Sequence, residues 1–462
     1  MHRVSRLLVC ALFLGAALPA RADVFDAETF TLDNGLQVVV VTNRLAPVVT
    51  NMVWYRVGAA DDPVGSSGIA HYLEHLMFLG TEEHPEGELM QIVARNGGVQ
   101  NAFTSWDYTA YHQAIAVDRL PLMLELEADR MRDLSVTDAR ALVERDVVMQ
   151  ERLERIDNDP SGRLGEQMMA ALYQHYPYGT PIIGWEQEVA NLNADVAREV
   201  LDRWYVPNNA IVVVAGDIDA ETLRPMVEAA FGTIPAGPDP ERHRVSEPAQ
   251  FAPRLVTLAH PDVQQEEWLR YYVAPGYITS DDPMAPYALQ VLNDLFGGSL
   301  TSRLYRSLVV EQGVAVGAGS FYSAGTVGPS QFGLYATPRD GVSLEELGQA
   351  MDAEIARLLT DGVTEEEVAA ARDRLQIDAV YARDSIGGAA RMVGAALAIG
   401  QTLDDVQAWP DRIAAVTVDD VMAAARQVLN LDQSVTGWLQ REGDAPRMAS
   451  GGGGPVIPGV IQ

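Results

Sequence analysis

Gly68-Ile69-Ala70-His71-Tyr72-Leu73-Glu74-His75-Leu76-Met77-Phe78-Leu79-Gly80 is the stretch around which the rest of the chain is organised. Ile69, Ala70, Leu73, Leu76, Met77 and Leu79 form an apolar stripe at helical spacing, and glycines stand before and after it. A helix over this stretch sets His71 and His75 on one face, one turn apart, with Glu74 beside them. Two neutral imidazoles so placed can hold one metal ion, and the neighbouring carboxylate can take a proton from water at that ion. The plainer reading is two surface histidines on an amphipathic helix.

The pattern is H-x-x-E-H, the reverse of the commoner H-E-x-x-H zinc motif. Catalytic zinc takes three protein ligands and keeps one position open, so a third ligand has to come from elsewhere. Asp138 to Glu154 reads as a helix with Asp138 as its N-cap, and within it Glu144 and Glu151 lie two turns apart on one face. One carboxylate can bind the metal while the other orients a histidine. Taken alone, the same glutamates describe a solvated helix face.

His71-Tyr-Leu-Glu-His75 followed at long range by Glu144-Arg-Asp-Val-Val-Met-Gln-Glu151 resembles the pitrilysin/insulinase family of zinc metallopeptidases, the inverzincins. The likeness is to its short-chain branch, which includes mitochondrial processing peptidase and bacterial relatives. Asp33-Asn-Gly-Leu-Gln-Val38, Gly97 to Ser105, Tyr108-Thr-Ala-Tyr111, Pro177-Tyr-Gly-Thr180 and Trp204 to Asn209 extend it over nearly the whole chain. The resemblance implies one zinc per chain, with His71, His75 and Glu151 as ligands, Glu74 as general base and Glu144 supporting a histidine. It implies an α+β fold of two similar domains, each a mostly antiparallel or mixed sheet with helices packed on one face. It further implies a peptide or unfolded segment as substrate, paired with the strand at Asn101 and Ala102 inside a chamber formed by two chains.

The order of elements divides the chain. A basic start, the apolar run Leu7 to Leu18 and Ala20-Arg-Ala22 read as a signal peptide over residues 1–22, so the protein is expected to be exported, and the resemblance to bacterial relatives implies the periplasm as its location. Residues 23–235 form a zinc-binding domain with strands over Phe30 to Val41 and Val48 to Val57, and a hairpin around Ser105-Trp106-Asp107. Helices follow, with a buried strand at Ala210 to Ala215. The Pro-rich segment 236–252 reads as a linker. Residues 253–447 repeat the order without a second H-x-x-E-H, as an inactive homologous domain, and 448–462 is a flexible tail. No element is read between Asp384 and Thr417.

Composition narrows the function. The formal charge of −31 disfavours nucleic acid and anionic membranes as partners. Cys10 is the single cysteine and lies in the leader, which excludes disulfide and thiol chemistry in the rest of the chain. No later stretch is long and apolar enough for a membrane span.

The family's second half usually carries an Arg and a Tyr that reach the opposing zinc site and help stabilise the oxyanion. Aligned on Gly313, those positions are Val309 and Val316 here, and valine's side chain has no donor. Arg303, Tyr305 or Arg306 would substitute only through a shift of register. Two readings stand: weakened chemistry, or a heterodimer whose other subunit has a degenerate zinc motif and an intact Arg/Tyr pair; a homodimer is the alternative assembly. The rival of another class is a non-catalytic scaffold or binding subunit of the same fold.

Overall fold

Asp33-Asn34-Gly35 turns the first apolar stretch back on itself, so that β1 (Ala27–Thr31) pairs antiparallel with β2 (Gln37–Thr42). The computed structural model describes residues 25–443; the leader 1–22 and the tail 448–462 lie outside the described residues. With β3 (Val48–Tyr55), β4 (Val99–Thr104), β5 (Thr109–Ala116) and β6 (Ala210–Gly216), these strands form a six-stranded sheet in the order β1-β2-β6-β3-β5-β4. The hairpin expected at Ser105 to Asp107 joins β4 to β5 and leaves β4 on the sheet edge.

The second half builds a five-stranded sheet from β7 (Arg254–His260), β8 (Glu267–Ala274), β9 (Ala315–Ser323), β10 (Ser330–Pro338) and β11 (Ser434–Arg441). Its order, β7-β11-β8-β10-β9, repeats β2-β6-β3-β5-β4. The only parallel pairs are β2-β6 in the first sheet and the matching β7-β11 in the second. The fold is therefore a two-domain α+β duplication, visible in the topology although the sequence shows no clear repeat.

Five helices of the first half matter for the site: α1 (Ile69–Leu76), α2 (Glu88–Arg95), α3 (Leu120–Arg132), α4 (Asp138–Arg152) and α5 (Pro160–Leu172). Strand alternation divides the first sheet between two cores. Val38, Val40, Val53, Val212 and Val214 face one that includes residues of α1, α2 and α3. Val39, Val41, Met52, Trp54, Ile211 and Val213 face the other way, onto Ala389, Ala390, Val393 and Leu397. This double burial explains why β6 is apolar at every position rather than every second one.

Those last four residues belong to a helix, Ile386–Ala398, contributed by the second half of the chain. The exchange is reciprocal. On α5, Leu164, Met168 and Leu172 pack against Val435 and Leu439 of the second sheet. Each half thus covers the outer sheet face of the other. The contact is close at two glycines: a Cβ on Gly394 would lie 2.1 Å from Trp54 Nε1, and one on Gly437 2.1 Å from Met168 Sδ.

Residues 235–253 carry no regular element, yet they are tied down. Glu247 accepts from the backbone N–H groups of Gln174, His175 and Tyr176. Arg244 pairs with Asp61 at 2.7 Å and with Asp107 at 3.4 Å. Asp107, at the hairpin tip, also accepts from Val327 N–H of the second half at 3.0 Å. This buried cluster joins segment, hairpin and second half in one place.

In an exposed helix Gly394→Ala would gain stability from helix propensity, about 1 kcal/mol. Here the contact with Trp54 reverses the sign. The substitution is expected to destabilise the protein by ~1–3 kcal/mol, read from the midpoint of a urea unfolding curve.

Candidate metal centre

The helix carrying the H-x-x-E-H motif is fixed at its start by residues outside the motif. Gly68 has φ +85°, a left-handed conformation natural to glycine, and a Cβ there would come within 2.5 Å of the carbonyl oxygen of Ile183. Glycine has no side chain to cap the helix, and Asp62 does it instead. Its carboxylate accepts from Gly68 N–H at 2.7 Å and from Ala70 N–H at 3.1 Å. The Tyr72 hydroxyl donates to the carbonyl of Ala141 and so ties α1 to α4. The cap of α4 is Thr137, whose side chain accepts from Arg140 N–H, and not Asp138 as expected from sequence. Asp138 falls in the first turn, where its charge suits the positive end of the helix dipole.

These constraints bring together residues some 80 positions apart. Nε2 of His75 lies 3.2 Å from Oε2 of Glu151, and Nε2 of His71 lies 3.7 Å from the same oxygen. One ligand atom from each of the three residues falls within 4.8 Å of the others, a spacing that one metal ion can bridge. Glu144 stands behind the cluster and accepts from Nδ1 of His75 at 2.9 Å, which turns Nε2 toward Glu151. Among the described residues, Nδ1 of His71 is buried without a hydrogen-bond partner. Two imidazoles and a carboxylate are a donor set that suits zinc, and the residues present fit such an ion.

The electrostatics follow from burial and pairing. Burial, then the neighbouring His75, lower His71 to about 4. Burial also opposes charge on His75, but hydrogen bonds to Glu144 and Glu151 outweigh it and raise the ring to about 9. Glu151 is held below the usual carboxylate range, first by its bond with His75. Burial raises Glu74 above that range, although a hydrogen bond from Thr104 pulls the other way. The cluster thus favours a positive charge between the imidazoles and Glu151, with a less acidic carboxyl alongside.

Glu74, both histidines and Glu151 line a cavity of about 670 Å³ whose walls include Asn101, Ala102, Phe103, Thr104, Trp106, Arg155 and Met169. Asn101 and Ala102 sit on the open edge strand β4. The Ala102 N–H is at present satisfied by the side-chain oxygen of Asn101 at 2.9 Å.

Residues not singled out in the sequence also take part. Thr104 binds Oε2 of Glu74. It lies two positions beyond Ala102 in an alternating strand, a signal that could have marked it. Arg155 pairs with Oε1 of Glu151 at 2.7 Å and is its i+4 neighbour. Tyr111 is a core residue whose hydroxyl meets that of Tyr205 at 3.0 Å, and His112 is not among the cavity residues.

The positions opposite the family's Arg and Tyr lie elsewhere. Val309 packs against the second core, and Val316 stands on β9. Arg303 is engaged by Glu367, with both contacts at 2.7 Å, and Arg306 by Glu311 at 3.3 Å. Neither they nor Tyr305 lines the cavity.

A His-His-Glu cluster that could hold a metal ion thus stands beside a buried glutamate and faces an edge strand across a cavity. Residues 37–186 match the insulinase (peptidase family M16) model, and residues 191–375 match the M16 inactive domain. The zinc protease PqqE of Helicobacter pylori is 30% identical over 95% of this chain and 99% of its own length. An uncharacterized zinc protease of Streptomyces coelicolor is 29% identical over 88% of each chain. The crystal structure of a protease from Helicobacter pylori superposes with a TM-score of 0.84 at 28% identity, covering 90% of this chain and all of that one. The first half of the periplasmic protease PqqL from Escherichia coli shares the fold, with a TM-score of 0.76 at 18% identity over 91% of this chain and 93% of that one. The chain belongs to the insulinase (M16) family of peptidases.

Because Asp62 holds two orphan N–H groups of α1, Asp62→Ala should cost ~1–2 kcal/mol and lower the thermal midpoint. The reading would be wrong if Asp62→Ala melted with the wild type.

Proposed function

We propose that the protein is a zinc-dependent endopeptidase of the periplasm, acting on peptides or unfolded segments. His71, His75 and Glu151 hold one zinc ion per chain, with Glu144 fixing the tautomer of His75. The reading is carried by the convergence of two imidazole Nε2 atoms and one carboxylate oxygen in the wall of a cavity that also contains Glu74. When bound, zinc would polarise a peptide carbonyl and acidify water.

The chain's own residues supply the rest. Glu74 is the general base and acid. Thr104 holds its Oε2, which leaves Oε1 to take a proton from the attacking water and return it to the leaving amine. Asn101 and Ala102 receive the substrate as an added strand on β4. A substrate carbonyl displaces the Asn101 side chain from the Ala102 N–H. The apolar walls at Phe103, Trp106 and Met169 accommodate side chains.

Val309 and Val316, with Arg303 and Arg306 committed to carboxylates in their own half, support a heterodimer whose partner supplies an Arg/Tyr pair and closes the chamber. The same valines are what a non-catalytic scaffold would show, and metal content separates the two. Export rests on the leader-like residues 1–22, and among the described residues no helix is long and apolar enough to cross a membrane.

Metal analysis of purified protein should find about one zinc per chain in wild type and in Glu74→Gln, and little in Glu151→Gln. Glu74→Gln should keep the metal and lose ~10²–10⁴-fold in kcat; a zinc-free wild type would leave the scaffold reading standing.

Assayed alone on an unstructured peptide, the chain should be slow. Adding a homologous subunit that carries the Arg/Tyr loop should raise kcat by ~10²–10³-fold, the worth of one oxyanion donor. Full activity from the isolated chain would refute the partner.

A further inference from the structure

At the end of α4 the chain leaves α-helical geometry and widens into one turn with i to i+5 hydrogen bonding, Leu153–Asp157. Such turns recur at functional sites. Arg152 anchors this one from within. Its guanidinium is buried, meeting Glu166 at 2.8 Å, the carbonyl of Gly184 at 2.7 Å and Asp157 at 3.3 Å. With the turn pinned from inside, the next arginine, Arg155, is presented to the cavity.

There Arg155 divides the carboxylate of Glu151 between two tasks. Oε1 takes the guanidinium at 2.7 Å, while Oε2 faces the two histidine Nε2 atoms. A carboxylate can bind a divalent cation through one oxygen or two. With both oxygens on the ion, together with two imidazoles, four positions would be filled and none left open for water. The ion pair counts because its two ends differ in exposure. Arg155 is 70% exposed, but the Glu151 side chain is only 18% exposed, so the contact is sheltered at its carboxylate end.

We infer that Arg155 is a positioning residue which engages one oxygen of Glu151 and so restricts that residue to one-oxygen ligation, keeping a coordination position free for water. The inference rests on the zinc reading proposed above. It differs from the role of Glu144, which orients a histidine, and it requires no contact between Arg155 and the substrate. Arg155 therefore governs turnover more than substrate affinity.

X-ray absorption at the zinc edge of the metal-loaded chain tests this without a partner subunit or a substrate. Arg155→Ala should retain one zinc per chain and the wild-type number of light donors, but with the second Glu151 oxygen in place of water and so a shorter zinc-to-carboxyl-carbon distance, whereas Arg155→Lys, which keeps a cationic donor, should show the wild-type distance. In the partner-complemented assay Arg155→Ala should lower kcat ~10-fold or more with KM within about threefold, and Arg155→Lys should recover most of it. Arg155 is exposed enough for both variants to fold, which a thermal melt checks. An unchanged zinc-to-carboxyl-carbon distance and unchanged kcat in Arg155→Ala would overturn the inference and reduce the ion pair to an ordinary exposed one worth little. A wild-type chain that takes up no zinc would instead overturn the metal reading itself.

Discussion

Everything at the candidate site depends on how α1 is held against α4. The two helices are distant in sequence, and they carry the imidazoles on one side and the carboxylates on the other. A misplacement of about an ångström would be enough to impair such a constellation. Three contacts set the distance. Asp62 satisfies buried amides at the start of α1, Gly68 lets the chain pass against Ile183, and Tyr72 reaches across to Ala141. None of these groups would touch a metal, yet each restricts where His71 and His75 can lie relative to Glu144 and Glu151.

The same helix pair is embedded in a wider exchange between the halves. The helix Ile386–Ala398 covers the outer face of the sheet that carries β4, and α5 covers the sheet of the second half. The second half, although it has no metal motif, is therefore part of the support beneath the site. Its helix closes the hydrophobic layer behind Trp54, which in turn packs edge-on against Phe103 of β4 at 5.4 Å between ring centroids. A duplicated domain that has lost its own chemistry is kept in place by this burial, since removing it would expose one face of the first sheet. The buried cluster of Asp61, Asp107 and Arg244 adds polar specificity at the hairpin tip next to the cavity.

Sequence pattern and observed fold meet most closely where local periodicity decides. The helical stripe around His71 and His75, the two-turn spacing of Glu144 and Glu151, the β4–β5 hairpin and the continuous apolar run of β6 are all properties of neighbouring residues. The helix Ile386–Ala398 escaped because Ile-Gly-Gly-Ala-Ala-Arg-Met-Val-Gly-Ala-Ala-Leu-Ala has no polar face. It has none because it is packed against the first sheet, and Gly394 makes room for Trp54. Thr137 rather than Asp138 caps α4 because either residue type can cap, and the local backbone chose between them.

The chain by itself determined which chemistry was on offer: two imidazoles and a neighbouring carboxylate on one helix, and two further carboxylates on another. Spacing along a helix or strand encodes that much, since the side chains concerned share one regular element. Tertiary structure alone decided that Asp62 caps α1, that Thr104 and Arg155 each occupy one oxygen of Glu74 and Glu151, and that each half shields the other's sheet. Apart from the pair one helical turn apart, Arg155 and Glu151, these contacts join residues whose separation along the chain carries no period. Even for that pair, only the fold determines which oxygen meets the cation and which faces the histidines.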